Sequence, residues 1–190
     1  MDLKKILEKS KNIEVRETKS LRICEPGFAE EQFREAFLLT DKTVKEFEML
    51  PEYHEVIDWL IDTKGKGLFM AGSVGRGKTT ILRGVLPLLF RANIQKIIHV
   101  YPARELHKYD YKKWLIAIDD MGQDDIVKDF GTNVNAVEDA ISYAEDHMKI
   151  LLITSNLTRE QIKNKYGERI MNRIERLCKI VVFKGSSFRR

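Results

Sequence analysis

Gly72-Ser73-Val74-Gly75-Arg76-Gly77-Lys78-Thr79 is the stretch on which the reading of this 190-residue chain turns. It fits G-x-x-x-x-G-K-[ST], and each fixed residue type has a physical reason. Glycines let the backbone curl until successive N–H groups point at one anion. A helix that starts at the end of such a loop adds free N–H groups and the positive end of its dipole. The ammonium of Lys78 is long enough to reach a terminal phosphate, and the hydroxyl of Thr79 suits Mg²⁺. Gly72, Ser73, Val74, Gly75, Arg76, Gly77, Lys78, Thr79 and Thr80 are therefore the candidate nucleotide-binding residues.

The flanks agree with the loop. Gly67-Leu68-Phe69-Met70-Ala71 is a short apolar run bounded by glycine, as suits a buried strand. Thr79 to Arg91 carries Ile81, Leu82, Val85, Leu88 and Leu89 at helical spacing. Strand, loop and helix in that order is the context the motif requires, against the alternative of a Gly-rich turn in an unrelated α/β protein.

A phosphate site of this kind needs an acid nearby, and Lys113-Trp114-Leu115-Ile116-Ala117-Ile118-Asp119-Asp120 offers two. An apolar strand that delivers carboxylates at its carboxyl end is the Walker-B pattern. Asp119 is assigned to Mg²⁺ and Asp120 to polarising the attacking water; the competing reading is a pair of turn acids capping the next element. Asp129-Phe130-Gly131 spells a kinase tripeptide, but no H-R-D-x-x-x-x-N accompanies it and the loop is not the kinase Gly-rich loop.

The remaining chain alternates. Gln95 to Tyr101 reads as a strand ended by Pro102, and Asn133 to Met148 as a helix. Lys149 to Thr154 reads as a strand, a helix begins near Thr158, a second runs from Tyr166 to Leu177, and Ile180 to Phe183 is a last strand. Asn156 either sits beside Asp120 or caps the helix that starts at Thr158. Ahead of the loop, Phe28 to Leu50 reads as a helix with an interruption near Thr40-Asp41-Lys42, and Pro51 opens another through Ile61. The first residues hold an amphipathic pattern at Leu3, Ile6 and Leu7 and a strand candidate at Ile13-Glu14-Val15. Strands alternating with helices predict an α/β fold with a parallel sheet.

Composition limits the function classes. Hydrophobic residues make up 43% of the chain, enough for one core, and the net charge is +4. Thr158 to Arg190 carries ten Lys/Arg against three Asp/Glu, a local +7 that leaves about −3 for the rest. That asymmetry suits nucleic acid or phosphate chemistry, and equally a solvated helix face. Two distant cysteines, Cys24 and Cys178, exclude a C-x-x-C zinc or dithiol centre. No apolar run reaches membrane-spanning length, so the expectation is a cytoplasmic protein without membrane contact.

Taken in order, the Gly72 to Thr79 loop, Asp119-Asp120-Met121-Gly122, Thr154-Ser155-Asn156, Tyr166-Gly167-Glu168-Arg169-Ile170-Met171-Asn172-Arg173-Ile174 and Gly185-Ser186-Ser187-Phe188-Arg189 resemble the AAA+ ATPases of the DnaC/IstB type. These are helicase loaders and transposition ATP-binding subunits. The resemblance covers about residues 65 to 190. It implies a three-layer P-loop NTPase with a five-stranded parallel sheet in the order 5-1-4-3-2, ATP with Mg²⁺, and sites shared between self-associating subunits. No C-terminal helical lid domain is expected. By position, Asn156 matches the sensor-one residue, Arg173 the arginine finger that acts on a neighbour's ATP, and Arg189 the sensor-two arginine. A surface ion pair is the alternative for Arg173. Catalytic expectations thus fall on Lys78, Asp120, Asn156 and Arg173, and metal expectations on Thr79 and Asp119.

The resemblance divides the chain into an N-terminal helical appendage, residues 1–62, and an ATPase core, residues 63–190. It implies an ATPase whose partners are a replicative helicase or a transposase, and single-stranded DNA. Two departures stand out: Asp120 occupies a position where many AAA+ proteins carry Glu, and Pro102 to Lys112 is short where loaders carry extra helical material. The rival readings are a transposition regulator, a nucleotide-gated binding module with negligible hydrolysis, and a small-molecule kinase.

Overall fold

The computed structural model describes residues 19–44, 46–124, 127–129 and 132–185, with residues 2, 4 and 5. The amphipathic start, the strand candidate at Ile13 to Val15, the end of the Asp129-Phe130-Gly131 tripeptide and Arg189 all lie outside the described residues. Two helices come first, α1 (Ala29–Thr40) and α2 (Pro51–Ile61). The helix expected from Phe28 to Leu50 stops at Thr40, and Asp41 follows in extended conformation.

Five strands form one parallel sheet: β1 (Gly67–Gly72), β2 (Val100–Pro102), β3 (Leu115–Met121), β6 (Ile150–Ser155) and β7 (Cys178–Phe183). Their spatial order is β2-β3-β6-β1-β7, which is 5-1-4-3-2 read from the far edge. Such strands are apolar throughout because both sheet faces are covered. Leu68 and Met70 of β1 join Ala117 of β3 and Leu152 of β6 in one core cluster, together with α1 and α2. Phe69, Ile116, Ile118, Leu151 and Ile153 alternate to the other face, under α5 (Ala136–Asp146) and α6 (Arg159–Leu177). Three layers result, with the Gly-rich loop at the carboxyl edge of the sheet.

The helix after the loop comes in three pieces: α3 (Lys78–Thr80), a π-helical stretch (Ile81–Val85) and α4 (Leu86–Ile94). Leu86 donates its N–H to the Ile81 carbonyl, five residues back. Pro87 follows directly and has no N–H to return to the Arg83 carbonyl, so the regular ladder cannot close there.

Several boundaries differ from the sequence reading. The expected strand from Gln95 shortens to Val100–Pro102, because α4 runs on to Ile94 and Gln95 closes it in the left-handed region at φ 56°. Asn133 belongs to a small antiparallel hairpin of β4 (Val127–Asp129) and β5 (Thr132–Val134), not to a helix. Asn135 then caps α5, accepting from Val137 and Glu138 at 3.0 and 3.3 Å. The two late helices form one run broken at Gly167, whose φ of 83° and ψ of 161° are open to glycine.

Candidate functional site

The loop is held open from both sides. Gly77 stands at φ 85°, and a Cβ there would lie 2.7 Å from the Tyr53 hydroxyl and 3.0 Å from Phe37. Tyr53 donates to the Arg76 carbonyl at 3.2 Å, inside an aromatic group with Phe33, Phe37 and Phe47. Burial pushes the Tyr53 phenol up to about 12, reinforced by neighbouring Glu52. Arg76 itself turns away from the loop's mouth and donates Nε and Nη2 to Glu52 of α2 at 3.0 and 2.6 Å. Both side chains are more than nine-tenths buried. Thr80 donates to Asp41 at 3.0 Å, which ties the end of α1 to the last residue of α3.

Lys78 lies across the loop, donating to the carbonyls of Gly72 and Ser73 at 2.8 and 2.7 Å. Its neighbour Thr79 donates to Asp119 Oδ1 at 3.3 Å. Asp119 is 3% exposed at the end of β3 and also accepts from Thr154 of β6 at 2.5 Å. A hydroxyl and a carboxylate oxygen so placed form the hard-oxygen donor set that suits Mg²⁺, so the residues fit that ion. Arg83 of the π-helical stretch donates Nε to Asp119 Oδ2 at 2.5 Å.

Strand alternation alone would send Asp119 and Asp120 to opposite faces. The structure resolves this with an irregularity: the β3–β6 register runs Ile118 to Ile153 and resumes with Met121 to Ser155, one extra residue on β3. Asp120 takes φ 58° within it, and its N–H donates to Thr154 Oγ1 at 2.9 Å. Asn156, exposed just past β6, donates to Asp120 Oδ1 at 3.4 Å. The cap of α6 is Thr158, in a reciprocal box with Gln161. Asn156 therefore faces the acid rather than the helix.

Lys78, Thr79, Asp119, Asp120 and Asn156 thus converge on one edge of the sheet. A cavity of about 650 Å³ adjoins them, bounded by Gly72 to Val74, Asn156 and Arg159, and floored by Ile162 and Phe183. Arg173 does not join this group. It lies beyond the Gly167 break in α6, one turn before Arg176, which sits beside Lys64, Gly65 and Lys66 at the amino-terminal end of β1 and so away from the loop. There the residue is 9% exposed, and its guanidinium pairs with Glu145 of α5 at 2.7 Å and donates to Ser142.

The sequence assigns no role of their own to four participants: Thr154, Arg83, Glu52 and Tyr53. Thr154 alone left a signal, since a polar residue two positions beyond Leu152 shares its face of β6. A fifth feature holds the loop after β3. Asp124, buried, accepts from Gly122 N at 3.0 Å, from Asn135 at 3.1 Å and from the Tyr166 hydroxyl, while Lys165 donates to the Gly122 and Asp124 carbonyls at 2.7 Å. Burial and the Asp124 carboxylate together drive the Tyr166 phenol far above its ordinary range.

No family model and no curated protein matches this chain. Solved structures do. The DnaC helicase loader superposes with a TM-score of 0.56 at 14% identity, over 78% of this chain and 98% of its own. DnaI gives 0.55 at 19% identity, over 80% of this chain and 94% of its own. The chain has the fold of the DnaC helicase loader and of DnaI. AMPPCP-bound DnaA from Aquifex aeolicus shares it too, at a TM-score of 0.52 and 16% identity, over 73% of this chain and 48% of the DnaA chain. At these identities the likeness is one of fold. None of the described helices is long and apolar enough to cross a membrane.

Proposed function

We propose that this chain binds and hydrolyses ATP with Mg²⁺ and uses the nucleotide to control assembly on a replicative helicase or on single-stranded DNA, in the manner of a helicase loader. The observation that carries the reading is the meeting of the Lys78–Thr79 pair, the Asp119–Asp120 pair and Asn156 at one sheet edge of a DnaC-type fold. In this reading the loop N–H groups from Ser73 to Thr80 and the Lys78 ammonium hold the phosphates. Thr79 and Asp119 hold Mg²⁺, which when bound supplies charge neutralisation at the phosphates. Asp120 accepts the proton of the attacking water, and Asn156 orients Asp120 through its 3.4 Å contact.

Arg173 stands too far from its own loop to serve it. We assign it to the ATP of a neighbouring subunit, which requires that it leave Glu145. Residues 63–190 act as the ATPase core, and residues 1–62 as a helical appendage whose helices brace the loop through Glu52, Tyr53 and Asp41. The protein is assigned to the cytoplasm, where its two buried free cysteines are at home. The pairing of Arg173 also favours a second reading, a nucleotide-gated binding module that hydrolyses little until a partner frees that arginine.

The deciding measurement is ATP hydrolysis per subunit against protein concentration, with Lys78→Ala as the blank and with or without single-stranded DNA. A specific rate that climbs with concentration, and is lost in Arg173→Ala, is the expected result. A flat rate above the blank removes Arg173 and the shared site. Wild-type binding of ATP with no turnover at any concentration selects the binding module.

A further inference from the structure

Asp119 makes three contacts, and one of them is out of place for a carboxylate that faces a metal. The two threonine hydroxyls, Thr154 and Thr79, share Oδ1. Oδ2 is taken by the guanidinium of Arg83, at 2.5 Å. The exposures differ sharply: the Asp119 side chain is 4% exposed and that of Arg83 42%. The arginine therefore caps the acid from the solvent side. Its position comes from the backbone, because Arg83 is the middle residue of the π-helical turn between α3 and α4. Wide turns of this kind recur at functional sites because they re-aim a side chain. The next residue, Gly84, packs against α1 so closely that a Cβ would sit 2.6 Å from Thr40, which fixes the turn from behind.

We infer that Arg83 is a positioning residue that sets the Mg²⁺ requirement of nucleotide binding, by occupying one oxygen of Asp119 and by placing a positive charge beside the ion. The inference rests on the function proposed above. Two cations that share one buried carboxylate repel each other, and the repulsion is strong wherever water is largely excluded. The triphosphate offsets only part of that repulsion when it arrives with its metal, so the arginine disfavours metal alone most strongly and still raises the Mg²⁺ needed when nucleotide is bound. A partly exposed ion pair contributes little to folding, so the consequence of this contact falls on the metal.

The experiment is a Mg²⁺ titration of fluorescent ATP-analogue binding, without turnover, on wild type, Arg83→Gln, Arg83→Ala and Arg83→Lys, with thermal melting to show that each is folded. The Mg²⁺ midpoint is expected to fall about tenfold in Arg83→Gln and Arg83→Ala, because the competing charge is gone. Arg83→Lys, which restores the charge, is expected to return it toward wild type. The effect of Arg83→Gln should vanish when it is introduced into a chain that already carries Asp119→Asn. A midpoint that stays constant or rises in the neutral variants while wild type titrates normally overturns the role of Arg83 and leaves the proposed function standing. Wild type that binds nucleotide independently of Mg²⁺, or not at all, overturns both.

Discussion

Asp120 sits at φ 58°, a conformation that few residues other than glycine and asparagine-like side chains tolerate. The extra residue in β3 produces it, and the result is that two adjacent carboxylates serve one edge instead of two faces. Asp119 is buried under threonine hydroxyls, whereas Asp120 is half-buried and met by Asn156. That division suits one acid for a metal and one for a proton. Asp120→Asn should keep nucleotide binding and lose turnover by about 10²-fold or more, the usual contribution of a positioned base. Equilibrium binding of a fluorescent ATP analogue and steady-state phosphate release on the same preparation check this. Turnover within a few-fold of wild type would remove the base assignment. At this scale the loop and the paired acids are legible in the sequence as a candidate site. The partners Thr154 and Arg83 were not, because they lie 35 and 36 residues from Asp119 and reach it through strand pairing and helix packing.

At the scale of elements, α1 and α2 are part of the glycine loop's support. The Arg76–Glu52 pair is buried, bidentate at the guanidinium and joined by the Tyr53 hydroxyl on the same turn of backbone. Removing one partner takes from the other its buried counter-charge. Glu52→Gln should therefore destabilise the fold by about 3 kcal/mol or more. The paired replacement Arg76→Met with Glu52→Leu should recover most of that loss, since a well-packed apolar pair is often as stable as the ions it replaces. Urea unfolding of the two single variants and the double variant checks both statements. A double variant no better than the worse single one would mean that the pair is not an isolated unit. Pro51 and the apolar spacing locate α2, and the same spacing locates α1 only as far as Thr40, but nothing local announces which loop they cover. The sequence shows no sign of the hairpin of β4 and β5 and makes β2 too long for a related reason: strands of three residues carry too little period to read.

For the molecule as a whole, the sheet divides the core into two layers, and titratable groups are sealed in both. Burial raises Cys24 to about 11, partly countered by the Asn93 side chain, and raises Cys178 to about 12. Tyr53 is raised to about 12. Each ionises more readily in the unfolded chain, from its ordinary value of 9.0 for the thiols and 10.0 for the phenol. Their contribution to stability is thus complete below pH 9 and is lost as pH rises through 9 toward 12. The urea midpoint should be level between pH 7 and 8.5 and fall steadily above pH 9. A midpoint that holds to pH 11 would mean that the thiols and the phenol are not sealed in the folded state.

The sequence by itself determined the kind of protein this is. Its glycine loop, its apolar strands and its paired acids are local patterns, each set by residues a few positions apart, and the strand order followed from their resemblance to DnaC-type proteins. Only the tertiary structure decided which side chains share the acids. The bulge that turns Asp120 toward Asn156, the π-helical turn that lays Arg83 on Asp119 and the pairing of Arg173 with Glu145 all depend on contacts between distant segments. Such contacts are fixed by how helices and strands pack in three dimensions, and spacing along the chain does not encode them.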